Sequence, residues 1–349
     1  MMDWLERLDP GVHRRIKGLR LVTAFGLAAM AGRMPEVVNG LDAGQSLSVL
    51  AGGFALWASV SEVRSMRSDS SRDLLLLCMA AAVGAASYAL VAPGLAAMSV
   101  AGPELVLVTG AFSTGYLRRY GILGTGLGSQ IYIGQLLAYG SNLGPGDVWT
   151  IAIAGLIAAV AAIVPRVLSG PAERPALAPT IGQVQVAGLS DVRPELAMGL
   201  QAATAALLII WLTSHFGLQE PAWGITACTY VIAGSAAGTM DRVRRRILGT
   251  AIGVPLGLAC LPLAPHAPLL LWLAAAAAMV VYAMALPERY DIACGAFAFT
   301  LVVTLAATGE HSVPLLFARA WETVLGGTLG LLAALLLLPL RPIAPSAEQ

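Results

Sequence analysis

Arg119-Tyr120-Gly121-Ile122 opens one long apolar stretch of this chain, and Arg289-Tyr290-Asp291-Ile292 opens another 170 residues later. Two further pairs of landmarks keep nearly the same spacing: Arg72 with Arg246 at 174 residues, and Trp149 with Trp321 at 172 residues. Landmarks at an almost constant offset predict a duplicated unit. Internal repeats of this kind are typical of membrane transporters, in which the substrate path lies between the repeats.

The composition indicates a protein that lives in lipid. Hydrophobic residues make up 57% of the 349 residues, charged residues only 12%, and the mean hydropathy is +0.76, which excludes an ordinary soluble domain. A helix needs about 20 apolar residues to cross a bilayer. The sequence predicts twelve spans, at residues 18–34, 46–61, 73–92, 94–114, 121–140, 148–168, 195–215, 221–239, 246–264, 268–286, 291–308 and 314–338.

The positions of Lys and Arg predict the orientation of these spans. With twelve spans and a cytoplasmic N-terminus, 19 of the 21 Lys and Arg residues face the cytoplasm, and only Arg33 and Arg319 face outward. Positive charge concentrates on the cytoplasmic side of membrane proteins. We therefore expect a multi-pass protein of the bacterial inner membrane with both termini in the cytoplasm.

The duplication predicts an all-α fold of two six-helix repeats. The first repeat covers residues 1–168, a polar, Pro-rich cytoplasmic linker covers 169–193, and the second repeat covers 194–349. Because six spans is an even number, both repeats enter the membrane in the same orientation. The repeats are then parallel and related by a two-fold axis along the membrane normal.

The sequence offers no pattern for a cofactor, a metal or a catalytic centre. The four cysteines all fall inside apolar spans, the four histidines are scattered, and no Gly-Lys-Ser/Thr phosphate loop is present. We therefore expect no cofactor, no metal ion and no ATPase activity, and an enzyme is the least favoured class. No pattern points to nucleic acid.

The second half resembles a known family. The residues that carry the resemblance are Pro221-Ala222-Trp223-Gly224-Ile225-Thr226, Gly238-Thr239, Arg246-Ile247-Leu248-Gly249-Thr250, Arg289-Tyr290, the run from Phe297 to Leu301, the run from Arg319 to Gly326, and Pro339. Over 194–342 this order resembles the fusaric acid resistance or aromatic acid exporter family of bacterial inner-membrane proteins. The aluminium-activated malate transporters of plants look like distant relatives. The resemblance implies export of small aromatic or other organic acids, driven by the proton gradient.

Ionisable residues inside the spans are the first candidates for the transport path. An ionisable side chain exposed to lipid costs about 2.5–3.5 kcal/mol or more, so it faces protein or water. Arg319 and Glu322 lie three apart on one helical face. They form a structural ion pair or an anion or proton site, or they simply lie at the membrane interface. Glu104 is a second protonatable candidate if the fourth span includes it, and otherwise an exposed loop residue.

Polar residues in the fifth span and its repeat partner are further candidates. Gln130, Tyr132 and Gln135 lie among glycines, and Thr300 and Thr304 take a similar depth in the eleventh span. Such side chains form either hydrogen bonds between helices or the wall of a wetted path.

The cytoplasmic entrance is predicted at Arg246, Thr250, Arg289 and Tyr290. The alternative for the arginines is contact with anionic lipid. Trp223 is either an anchor at the membrane interface or a stacking surface for an aromatic substrate. The spacing of Gly249 and Gly253 favours close helix packing as much as ligand binding.

These patterns predict a proton-coupled exporter whose partners are the lipid bilayer, a small organic anion and protons. Two alternatives stay open: a channel-like conduit for organic anions, and an accessory subunit of an envelope complex that transports nothing. A homo-oligomer and a periplasmic adaptor are compatible with either.

Overall fold

The computed structural model of the chain describes residues 12–35, 46–64, 66–99, 101–169, 186–188, 193–217, 220–286, 288–307 and 313–342. Its α-helices are α1 (Val12–Ala31), α2 (Ser46–Ser61), α3 (Arg67–Ala96), α4 (Gly102–Tyr116), α5 (Gly121–Gly140), α6 (Val148–Leu168), α7 (Pro194–Phe216), α8 (Pro221–Val231), α9 (Ala236–Ala259), α10 (Pro268–Ala285), α11 (Tyr290–Ala307) and α12 (Val313–Leu336). Residues 186–188 pair antiparallel with 340–342 in a short ribbon.

Apolar helices dominate this architecture. Within the described residues, six helical segments are long and apolar enough to cross a membrane: Arg67–Ala96, Pro145–Leu168, Pro194–Phe216, Ala236–Leu263, Pro268–Ala285 and Tyr290–Ala307. Shorter apolar helices cover Ser46–Ser61 and Ala320–Leu336. The protein therefore has the all-α membrane character that its composition predicted.

Two predicted span boundaries were wrong. The span predicted at 221–239 ends as a helix at Val231, because Ser235 caps a new helix: its side chain accepts a hydrogen bond from the N–H of Gly238 at 3.1 Å. The Oγ1 of Thr239 also accepts from the N–H of Ala233 at 3.0 Å. Residues 236–239 thus belong to α9.

The second error concerns the fourth span, predicted at 94–114. Helix α3 continues through Pro93 to Ala96, and α4 begins only at Gly102, after a turn. The sequence is apolar on both sides of the helix ends at Val231 and Ala96, so only the caps and turns indicate where these helices end.

Many helix pairs of the first half have counterparts in the second. In the first half α1 packs on α2 and α6, α2 on α6, α3 on α5 and α6, and α4 on α5. In the second half α7 packs on α8 and α12, α8 on α12, α9 on α11 and α12, and α10 on α11. The halves meet where α4 packs on α7 and α8 and where α10 packs on α1. The correspondence is partial, because α3 also packs on α4 and α2 on α5 in the first half alone.

Glycines hold the tightest pair in each half together. A Cβ on Gly134 of α5 would collide with the carbonyl oxygen of Ala81 in α3. In the second half, a Cβ on Gly253 of α9 would collide with the carbonyl oxygen of Gly295 in α11. Helices that approach this closely gain van der Waals contact, which is a main source of helix association in lipid. The close packing expected at Gly253 is therefore present.

Candidate functional site

A cleft opens in the second half between α8, α9, α11 and α12. It measures about 420 Å³ when its open mouth is included, but only about 30 Å³ is free to the centre of a water-sized group, so the cleft is narrow. Its wall includes Trp223, Arg246, Thr250, Cys294, Phe297 and Thr323. Three of these, Trp223, Arg246 and Thr250, were predicted from the sequence as path or entrance residues.

Arg246 is the cationic group of the cleft. One of its terminal nitrogens donates to the hydroxyl of Tyr290 at 3.4 Å. Its Nε is buried and has no hydrogen-bond partner among the described residues. A buried donor without a partner costs about 1–3 kcal/mol or more, and more when the group is charged. The wall of the cleft therefore includes a guanidinium that has a buried donor without a partner among the described residues.

Three other arginines have partners within the protein. Arg20 donates to Glu62 at 2.8 Å, with both side chains almost fully buried. Arg166, 2% exposed, donates from its Nε to the Oγ of Ser70 at 2.7 Å. Arg64, an exposed residue between α2 and α3, contacts Asp73 at 2.8 Å, and this hydrogen bond raises the pKa of Arg64. Arg246 differs from Arg20 and Arg64 because no described carboxylate pairs with it.

Aromatic rings and hydroxyl groups surround this guanidinium. Trp223 and Phe297 contribute rings to the wall, and Thr250 and Thr323 contribute hydroxyls. Phe297 packs edge-on against Trp57 of α2 at a centroid distance of 5.5 Å, so the ring is held from the first half. One cation, a few hydroxyls and flat apolar surfaces are the groups that bind a small carboxylate with an apolar or aromatic body.

Tyr132 forms a hydrogen bond that joins the two halves. Its side chain is fully buried, and its hydroxyl lies 2.8 Å from the Oγ1 of Thr226 in α8. Because Thr226 donates its own hydrogen to the carbonyl of Ala222 at 2.7 Å, Tyr132 is the donor to Thr226. Ser129 and Tyr230 make a similar contact at 2.8 Å. These bonds join α5 to α8 beside the cleft.

Gln130 and Gln135 lie within the first half and make interhelical bonds. Gln130 donates to the Oγ of Ser61 at 3.0 Å, and Gln135 donates to Thr109 at 3.0 Å and to Ser87 at 3.2 Å. Both are buried, and the structure does not bring either into the cleft. Their role as path residues stays a prediction.

Thr300 and Thr304 of α11 bond to backbone carbonyls. Thr300 contacts the carbonyl of Ala275 at 3.4 Å, and Thr304 donates to that of Thr300 at 2.8 Å. Neither side chain belongs to the wall of the cleft, which α11 lines with Cys294, Phe297 and Leu301 instead.

Glu322 binds the start of α8. It is 1% exposed, and its Oε1 accepts from the backbone N–H of Glu220, the N-cap residue of α8, at 3.0 Å. This contact places a carboxylate at the positive end of a helix dipole. The side chain of Arg319 lies outside the described residues, so the predicted Arg319–Glu322 pair is untested.

Glu104 lies in the first turn of α4 and is partly buried. Its Oε1 accepts from the hydroxyl of Tyr139 at 3.2 Å, and its Oε2 is buried with no hydrogen-bond partner among the described residues. It is part of a helix that packs between the halves, not an isolated loop residue.

The two remaining entrance candidates, Tyr290 and Arg289, lie in different surroundings. Tyr290 contacts Arg246 and so belongs to the surroundings of the cleft. Arg289 is 60% exposed and pairs with Asp291 at 3.2 Å, a hydrogen bond that raises the pKa of Arg289. Arg289 therefore faces solvent next to the cleft and does not line it.

Of the six wall residues named above, Cys294, Phe297 and Thr323 were not predicted from the sequence as site residues. Helical spacing could have indicated Cys294 and Phe297, because positions 294, 297, 298 and 301 share one face of α11. Positions 246, 250 and 254 share one face of α9 in the same way. Both stripes are mostly apolar, and for that reason they are indistinguishable in sequence from lipid-facing stripes.

The cleft lies wholly within a segment with a known family pattern. Residues 205–333 match the family model described as fusaric acid resistance protein-like. The match supports the fusaric acid resistance family for this chain. It covers more than a third of the chain and falls inside the 194–342 range over which the sequence resembled that family. No curated protein and no solved structure matches the chain.

The cleft therefore lies in the part of the chain that is similar to fusaric acid resistance proteins, a family associated with transport and efflux. All six wall residues named above, from Trp223 to Thr323, lie within the matched segment.

Proposed function

We propose that this chain is an inner-membrane transporter that exports small organic acids, aromatic ones among them. The observation that carries the proposal is Arg246, a guanidinium without a described carboxylate partner, in the wall of a cleft with aromatic rings. The carboxylate of the substrate accepts from Arg246 and from the Thr250 hydroxyl. Its ring packs against Trp223 and Phe297. The family match supports the same class of protein.

The proposed architecture is twelve spans in two parallel six-helix repeats, related by a two-fold axis along the membrane normal. The matching helix pairs in the two halves support it, as do the reciprocal contacts of α4 with α7 and α10 with α1. In this arrangement both termini are cytoplasmic, and Arg246 lies near the middle of α9. An exporter of this kind takes its substrate from the cytoplasm.

Proton coupling is the proposed source of energy, because the sequence has no phosphate-binding loop of its own. Glu322 and Glu104 are the carboxylates proposed to exchange protons, and Arg319 is proposed to attract the substrate near the outer end. Glu322 also joins α12 to the start of α8, whose Trp223 lines the cleft. A protonation change at Glu322 would therefore reach the cleft wall.

Tolerance of an aromatic acid tests this proposal in cells. Cells that express the chain should grow in benzoate concentrations that arrest cells without it. Arg246→Gln should abolish that advantage, and Arg246→Lys should retain only part, since lysine keeps the charge but lacks the planar fork and the Nε–H.

Arg244→Gln is the matched control, because Arg244 is exposed and two residues away. It should protect like the parent at equal membrane abundance. Equal protection by the parent and Arg246→Gln would contradict the assignment of the cleft.

A further inference from the structure

Three aromatic rings meet where the two halves join, and one of them belongs to the wall of the cleft. Trp57 of α2 comes from the first half, whereas Tyr282 of α10 and Phe297 of α11 come from the second. The ring centroids of Trp57 and Phe297 lie 5.5 Å apart, those of Trp57 and Tyr282 6.1 Å, and those of Tyr282 and Phe297 6.4 Å. Aromatic pairs attract each other at about 4.5–7 Å. Of the three rings, Phe297 is the one that lines the cleft.

Helix packing at the junction of the halves holds the other two rings in place. Helix α2, which carries Trp57, packs on α1, and α1 packs on α10, which carries Tyr282. The contact of α1 with α10 is close, because a Cβ on Gly18 would lie 2.9 Å from the side chain of Val280. Trp57 and Tyr282 are therefore fixed relative to each other, and Phe297 packs on both.

Phe297 also borders a gap between helices. In the first half α2 packs on α5, but no comparable packing joins the corresponding helices α8 and α11, both of which the structure describes in full. The cleft lies in this gap, with Trp223 of α8 and Phe297 of α11 in its wall. The position of the Phe297 ring thus contributes to the width of the cleft.

The cleft in this structure is too narrow for an aromatic ring. Its free space, about 30 Å³ for the centre of a water-sized group, holds about two water molecules. A phenyl ring is larger than that, so part of the wall has to move to admit one. Phe297 can move by rotation of its side chain. Helices α9 and α11 are held together by the close contact of Gly253 with Gly295.

We propose that Trp57 and Tyr282 are positioning residues that set the width of the cleft through Phe297 and so select the size of the aromatic acid that binds. With both rings in place, Phe297 turns far enough to admit a single ring, as in benzoate. A fused double ring, as in 2-naphthoate, is excluded. Size selection rests on the proposed function, whereas control of the cleft width does not depend on it.

Cys294 reports the width of the cleft without any substrate. It is buried in the cleft wall, three residues before Phe297. In purified full-length protein with alanine at the three other cysteines, methyl and benzyl methanethiosulfonate convert this thiol to a mixed disulfide, and mass spectrometry measures each rate. Trp57→Leu should raise the ratio of the benzyl rate to the methyl rate by at least about tenfold, because a hydrophobic pocket discriminates by size to this extent. A general loosening of the fold would raise both rates together and leave their ratio unchanged.

Trp272→Leu is the matched control, because it removes the same side chain from a position of α10 that is 37% exposed. Its labelling ratio should equal that of the parent. Tyr282→Leu removes the second supporting ring and should raise the ratio as Trp57→Leu does, including where Trp57→Leu does not fold. If neither leucine variant folds, Trp57→Phe, which keeps a smaller ring, should still raise it. A parental ratio in every folded variant of Trp57 and Tyr282 would overturn the control of cleft width.

The affinities of the same proteins for benzoate and 2-naphthoate test size selection, because specificity is a ratio of affinities. Titration of each acid against thermal unfolding in detergent gives the two dissociation constants. Trp57→Leu should lower the ratio of the 2-naphthoate constant to the benzoate constant by at least about tenfold. A raised labelling ratio beside an unchanged affinity ratio would overturn size selection.

Failure of this inference and failure of the proposed function give different results. If neither acid binds the parent while Trp57→Leu still raises the labelling ratio, the proposed function fails and the control of cleft width is supported. If both acids bind the parent while the labelling and affinity ratios of Trp57→Leu and Tyr282→Leu stay parental, the proposed function stands and this inference is wrong.

Discussion

At the residue scale, the arginines of this chain differ in their partners. Arg20 pairs with Glu62 inside the protein. Arg246 has no described carboxylate partner. Because a cation without a counter-ion is costly to bury, we propose Arg246 as the group that binds the anion.

Substitutions of Glu322 distinguish a role in stabilising the fold from a role in transport. Glu322→Ala removes the acceptor for the N–H of Glu220 and should lower the free energy of unfolding by about 1–3 kcal/mol. Glu322→Gln keeps an oxygen acceptor and should unfold close to the parent temperature, but should uncouple transport from an imposed pH gradient. Arg319→Lys, which keeps the charge and loses the fork, should weaken substrate affinity.

Denaturation in detergent and flux in proteoliposomes check these expectations. If Glu322→Gln folds like the parent and still follows the pH gradient, the carboxylate serves only as a helix cap.

The sequence predicted Arg246, Thr250 and Trp223 because charge, spacing and family pattern all mark them. It did not predict Phe297 or Cys294, because an apolar residue on a helix looks the same whether it faces lipid or a cleft. The sequence did not decide whether Tyr132 lines a path or forms a hydrogen bond to a neighbouring helix. Its contact with Thr226 depends on how α5 meets α8, which no local pattern specifies.

At the scale of helices, the glycines of α9 and α11 position the cleft. Gly253 approaches Gly295 so closely that no side chain fits between them. Helix α9 carries Arg246 and Thr250, and the contact with α11 fixes their distance from Phe297. The predicted span limits lie within six residues of the helix ends except at the start of α4, the end of α8 and the start of α9, where caps and turns interrupt continuous apolar sequence.

Gly253→Ala should therefore destabilise the protein by about 1–3 kcal/mol, because the added Cβ meets backbone that cannot rotate away. Gly26→Ala is the control: a Cβ there meets nothing within 4 Å, and alanine favours the helix by up to about 1 kcal/mol. Unfolding midpoints of both variants in the same detergent measure the difference. Equal midpoints would contradict the close approach of α9 and α11.

At the scale of the whole molecule, three landmark pairs predict a duplication, whereas no pattern in the sequence predicted the interface between the halves. The contacts of α4 with α7 and of α10 with α1 involve small residues such as Gly115, which packs against the backbone of Gly199. Small residues recur throughout the chain, so their spacing alone does not identify an interface.

The prediction at this scale concerns the side of the membrane on which residues 142 and 244 lie. In a variant without the native cysteines, a membrane-impermeant maleimide should label Asn142→Cys in intact cells. It should label Arg244→Cys only after the membrane is opened. Labelling of both from the same side would contradict the twelve-span arrangement and, with it, the parallel repeat.

Flux of radiolabelled benzoate into proteoliposomes tests the central claim most directly. The account predicts flux at least about tenfold above protein-free vesicles, a rate that follows an imposed pH gradient, and loss of that flux in Arg246→Gln but not in Arg244→Gln. A conduit would respond mainly to voltage instead of to the pH gradient. No flux above protein-free vesicles, or equal flux in the parent and Arg246→Gln, would contradict the account.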